Sequence, residues 1–213
     1  MSTRSMAKAL LVLLVVSATY AQQPPAAAPP GAAQGRGGAG PGPRMTPEQT
    51  LAVEQAAMAK LSGFDGIWRG SGWMKFGPDR HEYPSQVVRV GSLDDGMIKV
   101  FEILGYTADG KLDNHQLNMV TFDPQKQQYV MLARGGPFSN TFGFRVTDDG
   151  YVWALSAGPG PGGIQFTGAL KNGVWTQLTE AVSPDKPSVP MGEWTLHRVG
   201  TTDWPEGKLP KAH

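Results

Sequence analysis

Gly66-Ile67-Trp68-Arg69-Gly70-Ser71-Gly72-Trp73 decides the fold. Glycines recur on one parity and two tryptophans flank them. Glycine weakens a strand unless another backbone or a ligand must come close, and tryptophan brings a large apolar surface that has to be buried. Together they predict the first, sharply bent strand of a small closed β-barrel.

Downstream, turn signals recur at short intervals: Asp94-Asp95-Gly96, Ala108-Asp109-Gly110, Asp123-Pro124-Gln125, Gly135-Gly136-Pro137, Asp148-Asp149-Gly150, Gly158 to Gly163 and Lys171-Asn172-Gly173. Between them lie strand-like runs: Val87–Val90, Met97–Tyr106, Gln116–Phe122, Tyr129–Arg134, Thr141–Val146, Tyr151–Ala157, Ile164–Leu170, Val174–Ala181 and Glu193–Val199. Short strands at this spacing form an antiparallel meander, and no helical segment intervenes to build a parallel sheet. The fold class is all-β: an up-and-down antiparallel barrel of about 8–10 strands, whose closure removes exposed edges. A two-sheet sandwich is the competing arrangement, and connections of hairpin length favour the barrel.

Upstream, Thr46-Pro47-Glu48-Gln49 carries a helix start, with threonine as N-cap, proline at the first helical position and a capping-box glutamine. Residues 45–62 are expected to form a helix running to about Leu61, with Leu51, Met58 and Leu61 as its apolar contacts, closing one barrel end. The barrel then occupies residues 63–200, and 201–213 form a tail expected to fray, with Trp204 as its one docking residue.

Residues 22–44 are Pro, Ala, Gly and Gln with two arginines, which reads as a disordered spacer. Residues 1–21 have the layout of a secretory signal peptide: Arg4 and Lys8, then the apolar run Ala9–Val16, then small residues at Thr19 and Ala21. The expected address is periplasmic or secreted. That apolar run is short of the roughly 20 residues a bilayer span requires, so no stable span is expected after cleavage. The chain has no cysteine, which removes disulfide and thiol chemistry, and its net charge of +1 gives no electrostatic basis for nucleic-acid binding.

Gly66-Ile67-Trp68 is similar to the G-x-W triplet on the first strand of lipocalins, and Gly66 to Gly72 resembles the G-x-W-x-G-x-G opening of nitrobindin-like barrels. Trp194-Thr195-Leu196-His197-Arg198-Val199 resembles the closing strand of such barrels, and Val120 to Val130 a strand–turn–strand of uncharacterised secreted bacterial members. The resemblance spans most of residues 61–199. It implies that Arg198 packs over Trp68, as an arginine of the last lipocalin strand does, a contact worth roughly 0.5–2 kcal/mol. Gly66, Trp68 and Arg198 are therefore the expected closure residues. Nitrobindins hold haem through a histidine close to the C-terminal strand. His197 is the only histidine in that region, but strand alternation sets it opposite Trp194, Leu196 and Arg198. No cofactor is assigned, with haem as the alternative.

The histidines at 81, 115, 197 and 213 form no ligand-spaced pair, so no metal site is expected. The chain carries no nucleophile elbow and no phosphate loop, and prolines in Gly158–Gly163 remove donors that a phosphate would need. No catalytic residue is assigned. Glu102 stands between apolar neighbours. Facing outward it is an ordinary solvated residue; facing inward it is a carboxylate of raised pKa and a ligand contact. Glu180 poses the same question, and Tyr83, Gln86, His115, Asn118 and Arg145 are further polar candidates. Trp68, Trp153, Trp175, Trp194, Phe142 and Phe166 either line a cavity or fill it. The candidate ligand-binding set is Trp68, Glu102, Trp153 and Arg198. The function this reading gives is non-catalytic binding of a small apolar or amphipathic molecule at one barrel mouth. A haem enzyme and an envelope interaction module are the alternatives.

Overall fold

The computed structural model describes residues 45–75, 77–156 and 162–205. Ten antiparallel strands follow one another around a closed barrel: β1 (Gly66–Met74), β2 (His81–Leu93), β3 (Ile98–Tyr106), β4 (Leu112–Asp123), β5 (Gln128–Gly135), β6 (Phe138–Thr147), β7 (Gly150–Ser156), β8 (Gly163–Lys171), β9 (Val174–Ser183) and β10 (Lys186–Gly200). Each strand pairs with its sequence neighbour, and β1 pairs with β10 to close the ring. The meander and its closure are those expected from the turn spacing. The signal-peptide segment, the spacer, Phe76, residues 157–161 and the end of the tail lie outside the described residues. Among the described residues no helix is long and apolar enough to cross a membrane.

Two strands are longer than their apolar runs suggested. β2 begins at His81 rather than Val87, and β10 at Lys186 rather than Glu193. Pro84, Pro187 and Pro190 make those segments look non-strand, because proline cannot donate to a ladder. The barrel accommodates them where pairing is irregular: the β9–β10 register shifts between Lys186 and Val189 and again between Pro190 and Gly192.

The glycines of β1 have a backbone reason. Trp68, Gly70 and Gly72 stand opposite Arg198, Leu196 and Trp194 of β10. A Cβ on Gly70 would lie 1.9 Å from the Thr195 carbonyl oxygen, and one on Gly72 2.6 Å from that of Glu193. Gly66, at φ +128°, sits against the Gly200 carbonyl at the same seam. The closing strand comes so near that no side chain fits between.

One end of the barrel is plugged. The α1 helix (Pro47–Ala59) starts with the capping box expected at Thr46 and Gln49. Its last turn buries Ala57 and Met58, and the Tyr129 hydroxyl donates to the Ala57 carbonyl at 2.8 Å. A 3-10 turn, Ser62–Phe64, then drives Leu61 and Phe64 into the core. Leu51, expected as a contact, is exposed, because only the C-terminal turn of this short helix rests on the barrel. Phe64 packs against Phe101, Tyr151 and Trp175. The Trp68 indole donates to the Phe64 carbonyl at 2.7 Å and meets Trp175 edge-on. Arg198 lies over the Trp68 ring at 4.8 Å and donates to the Gly63 carbonyl. It thus ties the last strand to both the first strand and the plug, in the arrangement that the resemblance implied. Beside it, the buried Lys99 ammonium is held by Asp65 at 2.6 Å and by Ser92 at 2.7 Å. A buried cation needs such partners.

Residues 201–205 lie against the outside of β2, rather than fraying: Arg89 covers the Trp204 ring at 4.9 Å, and the Trp204 carbonyl presses on Gly91.

Candidate functional site

Strand alternation decides what faces the interior at the other end. On β9, Trp175, Gln177 and Thr179 point inward and are buried while Leu178 is exposed. On β4 the inward parity is Asn114, Gln116, Asn118 and Val120; on β2 it includes Gln86 and Val88. On β7, β8 and β10 it supplies Trp153, Phe166 and Trp194. Of these, all but Val88, Val120 and Trp175 line a cavity of about 110 Å³ at the end remote from the helix. A smaller void of about 20 Å³ reaches deeper and shares Ile103, Asn118, Trp153, Gln177 and Trp194 with it.

The walls differ in kind. Trp153 stacks on Phe166 with centroids 3.7 Å apart and the rings parallel, forming a rigid apolar side. The carboxamides of Gln86, Asn114, Gln116, Asn118 and Gln177 line the same space. Among the described residues, the lining carries no formal charge apart from Glu193, which is exposed. Several buried polar atoms have no partner among the described residues: Asn118 Oδ1, Thr179 Oγ1 and the indole nitrogens of Trp175 and Trp194. Native interiors leave few such groups, because each unpaired one costs free energy.

At the floor, the Tyr151 hydroxyl donates to Gln177 Oε1 at 2.9 Å. Burial pushes the Tyr151 phenol well above the ordinary tyrosine range. Tyr83 at the mouth is raised too, first by burial and then by Asp113. For Tyr151 the consequence is a loss of stability in alkali. An unfolded tyrosine ionises near pH 10, whereas the folded one keeps its proton, so above that pH the native state binds more protons and stability falls as pH rises. The expected slope is about 1.4 kcal/mol per pH unit above pH ~10. Urea unfolding between pH 9 and 11.5 checks it: Tyr151→Phe should flatten the slope, leaving the smaller contribution of the half-buried Tyr83 and Tyr129.

The sequence-derived candidates separate here. Trp153 lines both voids. Trp68 and Arg198 line neither, and belong to the plugged end. Glu102 is on the outer face, the parity opposite to Phe101 and Ile103, yet it is no ordinary solvated residue. It is only 13% exposed, accepting from Arg89 Nε at 2.6 Å and lying 3.1 Å from His115 Nε2. Its contacts are therefore a surface ion cluster beside Trp204 and not the cavity. Glu180 likewise lies outside the cavity, accepting from the Ser188 hydroxyl at 2.6 Å. Of the other polar candidates, Tyr83, Gln86 and Asn118 line the cavity, whereas Arg145 is exposed. His197 is exposed on the outside of β10, on the face alternation assigned to it. Among the described residues, no three His, Asp or Glu side chains converge to hold a metal ion. Gln177, Thr179, Asn114 and Gln116 went unrecognised in the sequence, although Gln177 and Thr179 share the parity of Trp175.

The class defined by this geometry is a closed ten-strand antiparallel barrel, plugged at one end and holding a neutral, mixed polar and aromatic cavity at the other. No protein-family model matches the chain, and no curated protein matches it. Among solved structures it is similar to the crystal structure of Rv2717c from M. tuberculosis, at 14% identity and a TM-score of 0.49, over 67% of this chain and 96% of that one.

Proposed function

We propose that this chain is an exported, lipocalin-like barrel that binds a small uncharged molecule without transforming it. The observation that supports the reading is a cavity lined by the polar side chains of Gln86, Asn114, Gln116, Asn118 and Gln177 together with an aromatic wall. A barrel interior needed only for stability is better filled with apolar side chains than with polar ones left unpaired. The ligand is small, since drug-sized ligands occupy pockets of about 300–1,000 Å³ and this one measures about 110 Å³. It is neutral, because no buried charge stands among the described residues that line the cavity, and burying an unpaired charge is costly. The polar walls shift the expectation from an apolar towards an amphipathic molecule. Export rests on the Arg4–Lys8 start, the apolar run to Val16 and the small residues before Gln22.

Native mass spectrometry of the protein purified from its own host tests the reading, with N-terminal sequencing for the leader. The expected result is a chain starting near residue 22 with a co-purifying small neutral molecule. A ligand lost from Trp153→Ala but kept by His197→Ala assigns it to the cavity. Retention of a haem Soret band that disappears in His197→Ala would overturn the proposal.

A further inference from the structure

We infer that the cavity takes a small polyol: a neutral three-carbon chain whose hydroxyls bond to the carboxamides and whose carbon skeleton lies against the aromatic wall. The inference rests on the binding reading above and adds the chemistry of the ligand.

The carboxamides form a column rather than a scatter. Asn114, Gln116 and Asn118 are alternate residues of β4, so they follow one another on its inner face about 6.8 Å apart, from the mouth into the barrel. At the mouth, Gly105 of β3 pairs with Gln86 on one side and with Asn114 on the other. A Cβ on Gly105 would meet the Tyr83 ring at 2.8 Å, so that ring lies over the glycine, in the row the two carboxamides define. Five strands away around the ring of ten, β9 adds Gln177. Its oxygen accepts from the Tyr151 hydroxyl, which leaves its N–H groups as donors. Gln86 and Gln177 are only 4% and 6% exposed, so what fills the cavity, rather than bulk solvent, must supply the bonds the protein leaves unmade. Asn118 Oδ1 and the Trp194 indole nitrogen are sealed inside the wall and take no part.

Chemistry and size narrow the class. A carboxamide presents an acceptor oxygen and a donor nitrogen, and a hydroxyl both donates and accepts at a single atom. By turning about its C–O bond it satisfies either end of a carboxamide, wherever around the ligand that end lies. A ketone or an ether only accepts, and an amine is charged near neutral pH, where the cavity has no buried carboxylate to meet it. A single hydroxyl leaves most of the column unpaired, so several carboxamides call for several hydroxyls. The carbons between them pack on the stacked Trp153 and Phe166 rings. An apolar cavity of about 150 Å³ holds the six heavy atoms of benzene, so about 110 Å³ holds about four or five. A three-carbon polyol fits with its last hydroxyl at the mouth beside Tyr83. Sites built around buried hydrogen bonds reject analogues that lack them more strongly than they reject a change in apolar bulk.

The test uses the full chain and three probes on one carbon skeleton, glycerol, propane-1,2-diol and propan-1-ol, with binding read by saturation-transfer NMR and tryptophan fluorescence. Apolar burial alone ranks propan-1-ol first. The polyol inference ranks glycerol first, with propane-1,2-diol about threefold to tenfold weaker and propan-1-ol weaker again. Gln86→Met and Gln116→Met keep the length of the side chain and remove its amide, and each should weaken glycerol about tenfold without weakening propan-1-ol. Circular dichroism establishes that each variant is folded, and two variants on different strands guard against the loss of one. If propan-1-ol binds as tightly as glycerol, or if both folded variants hold glycerol as the parent does, the polyol inference is overturned while the binding cavity stands. If none of the three binds at decimolar concentration, water alone fills the cavity and both readings fall.

Discussion

Gly70→Ala should destabilise the barrel by at least about 3 kcal/mol, and the protein should accumulate as aggregate rather than as soluble monomer. One added methyl group would ordinarily be a small change in a strand, even a favourable one, since alanine reduces the freedom of the unfolded chain. At Gly70 the new Cβ falls 1.9 Å from the Thr195 carbonyl oxygen and 3.0 Å from the Leu196 Cα. Both are backbone atoms, so no rotamer change relieves the clash, and β10 itself must move. That strand is the partner that closes the ring. If it is displaced, β1 and β10 each present an unpaired edge, a template for association with other chains. Gly143→Ala is the matched control. Gly143 lies on β6 with nothing within 4 Å of its Cβ position and no left-handed φ, so the change should be neutral or stabilise by about 0.4–1 kcal/mol. Chemical denaturation and size-exclusion profiles of the pair measure the difference. Equal stability of the two variants would mean that the seam tolerates a gap.

The same residues show how far the sequence carries. The barrel is legible because every connection is a hairpin turn with its own Gly, Asn or Asp signature, and ten strand-like runs remain between them. The closure pair is legible because Trp68 and Arg198 stand at opposite ends of that meander. What hides is facing, for a physical reason. A strand whose inner residues are apolar announces its parity. On β9 the order is inverted beyond Trp175: Gln177 and Thr179 turn inward and Leu178 outward. On β4, Asn114, Gln116 and Asn118 share a face with Val120 and Phe122, while Leu117 takes the other. A hydrophobicity reading places those polar side chains in solvent. Counting parity from the buried Trp175 and Phe122 would have placed them inside. Glu102 is the converse case: its apolar neighbours Phe101 and Ile103 fix it outside, but its cover of Arg89 and His115 comes from other strands and is invisible along β3.

Trp68→Ala should cost about 3–5 kcal/mol, the range for truncating a fully buried large aromatic, and should do so without altering the cavity at the far end. Trp68 is wholly buried, and its ring touches three structures at the closed end. It caps Trp175 in the central aromatic cluster, donates to the Phe64 carbonyl of the plug, and supports the Arg198 guanidinium of the last strand. Removing it opens a cavity in the closed end, orphans the Phe64 carbonyl and leaves Arg198 with its bond to Gly63 alone. Arg198→Ala isolates the outer part of this arrangement. Arg198 is exposed, so its loss should cost only about 0.5–1 kcal/mol, the worth of a solvent-accessible cation–π contact. Because these two residues are in contact, the double variant should fall short of the sum of the singles, and a double-mutant cycle reads that coupling directly. The ligand readouts supply the second half of the test. Trp68 and Arg198 lie at the plugged end, and neither lines the cavity bounded by Asn118, Trp153, Gln177 and Trp194. A folded Trp68→Phe variant should therefore keep the co-purifying molecule as the parent does. Loss of that binding with stability unchanged would move Trp68 from the closure of the barrel to its recognition site.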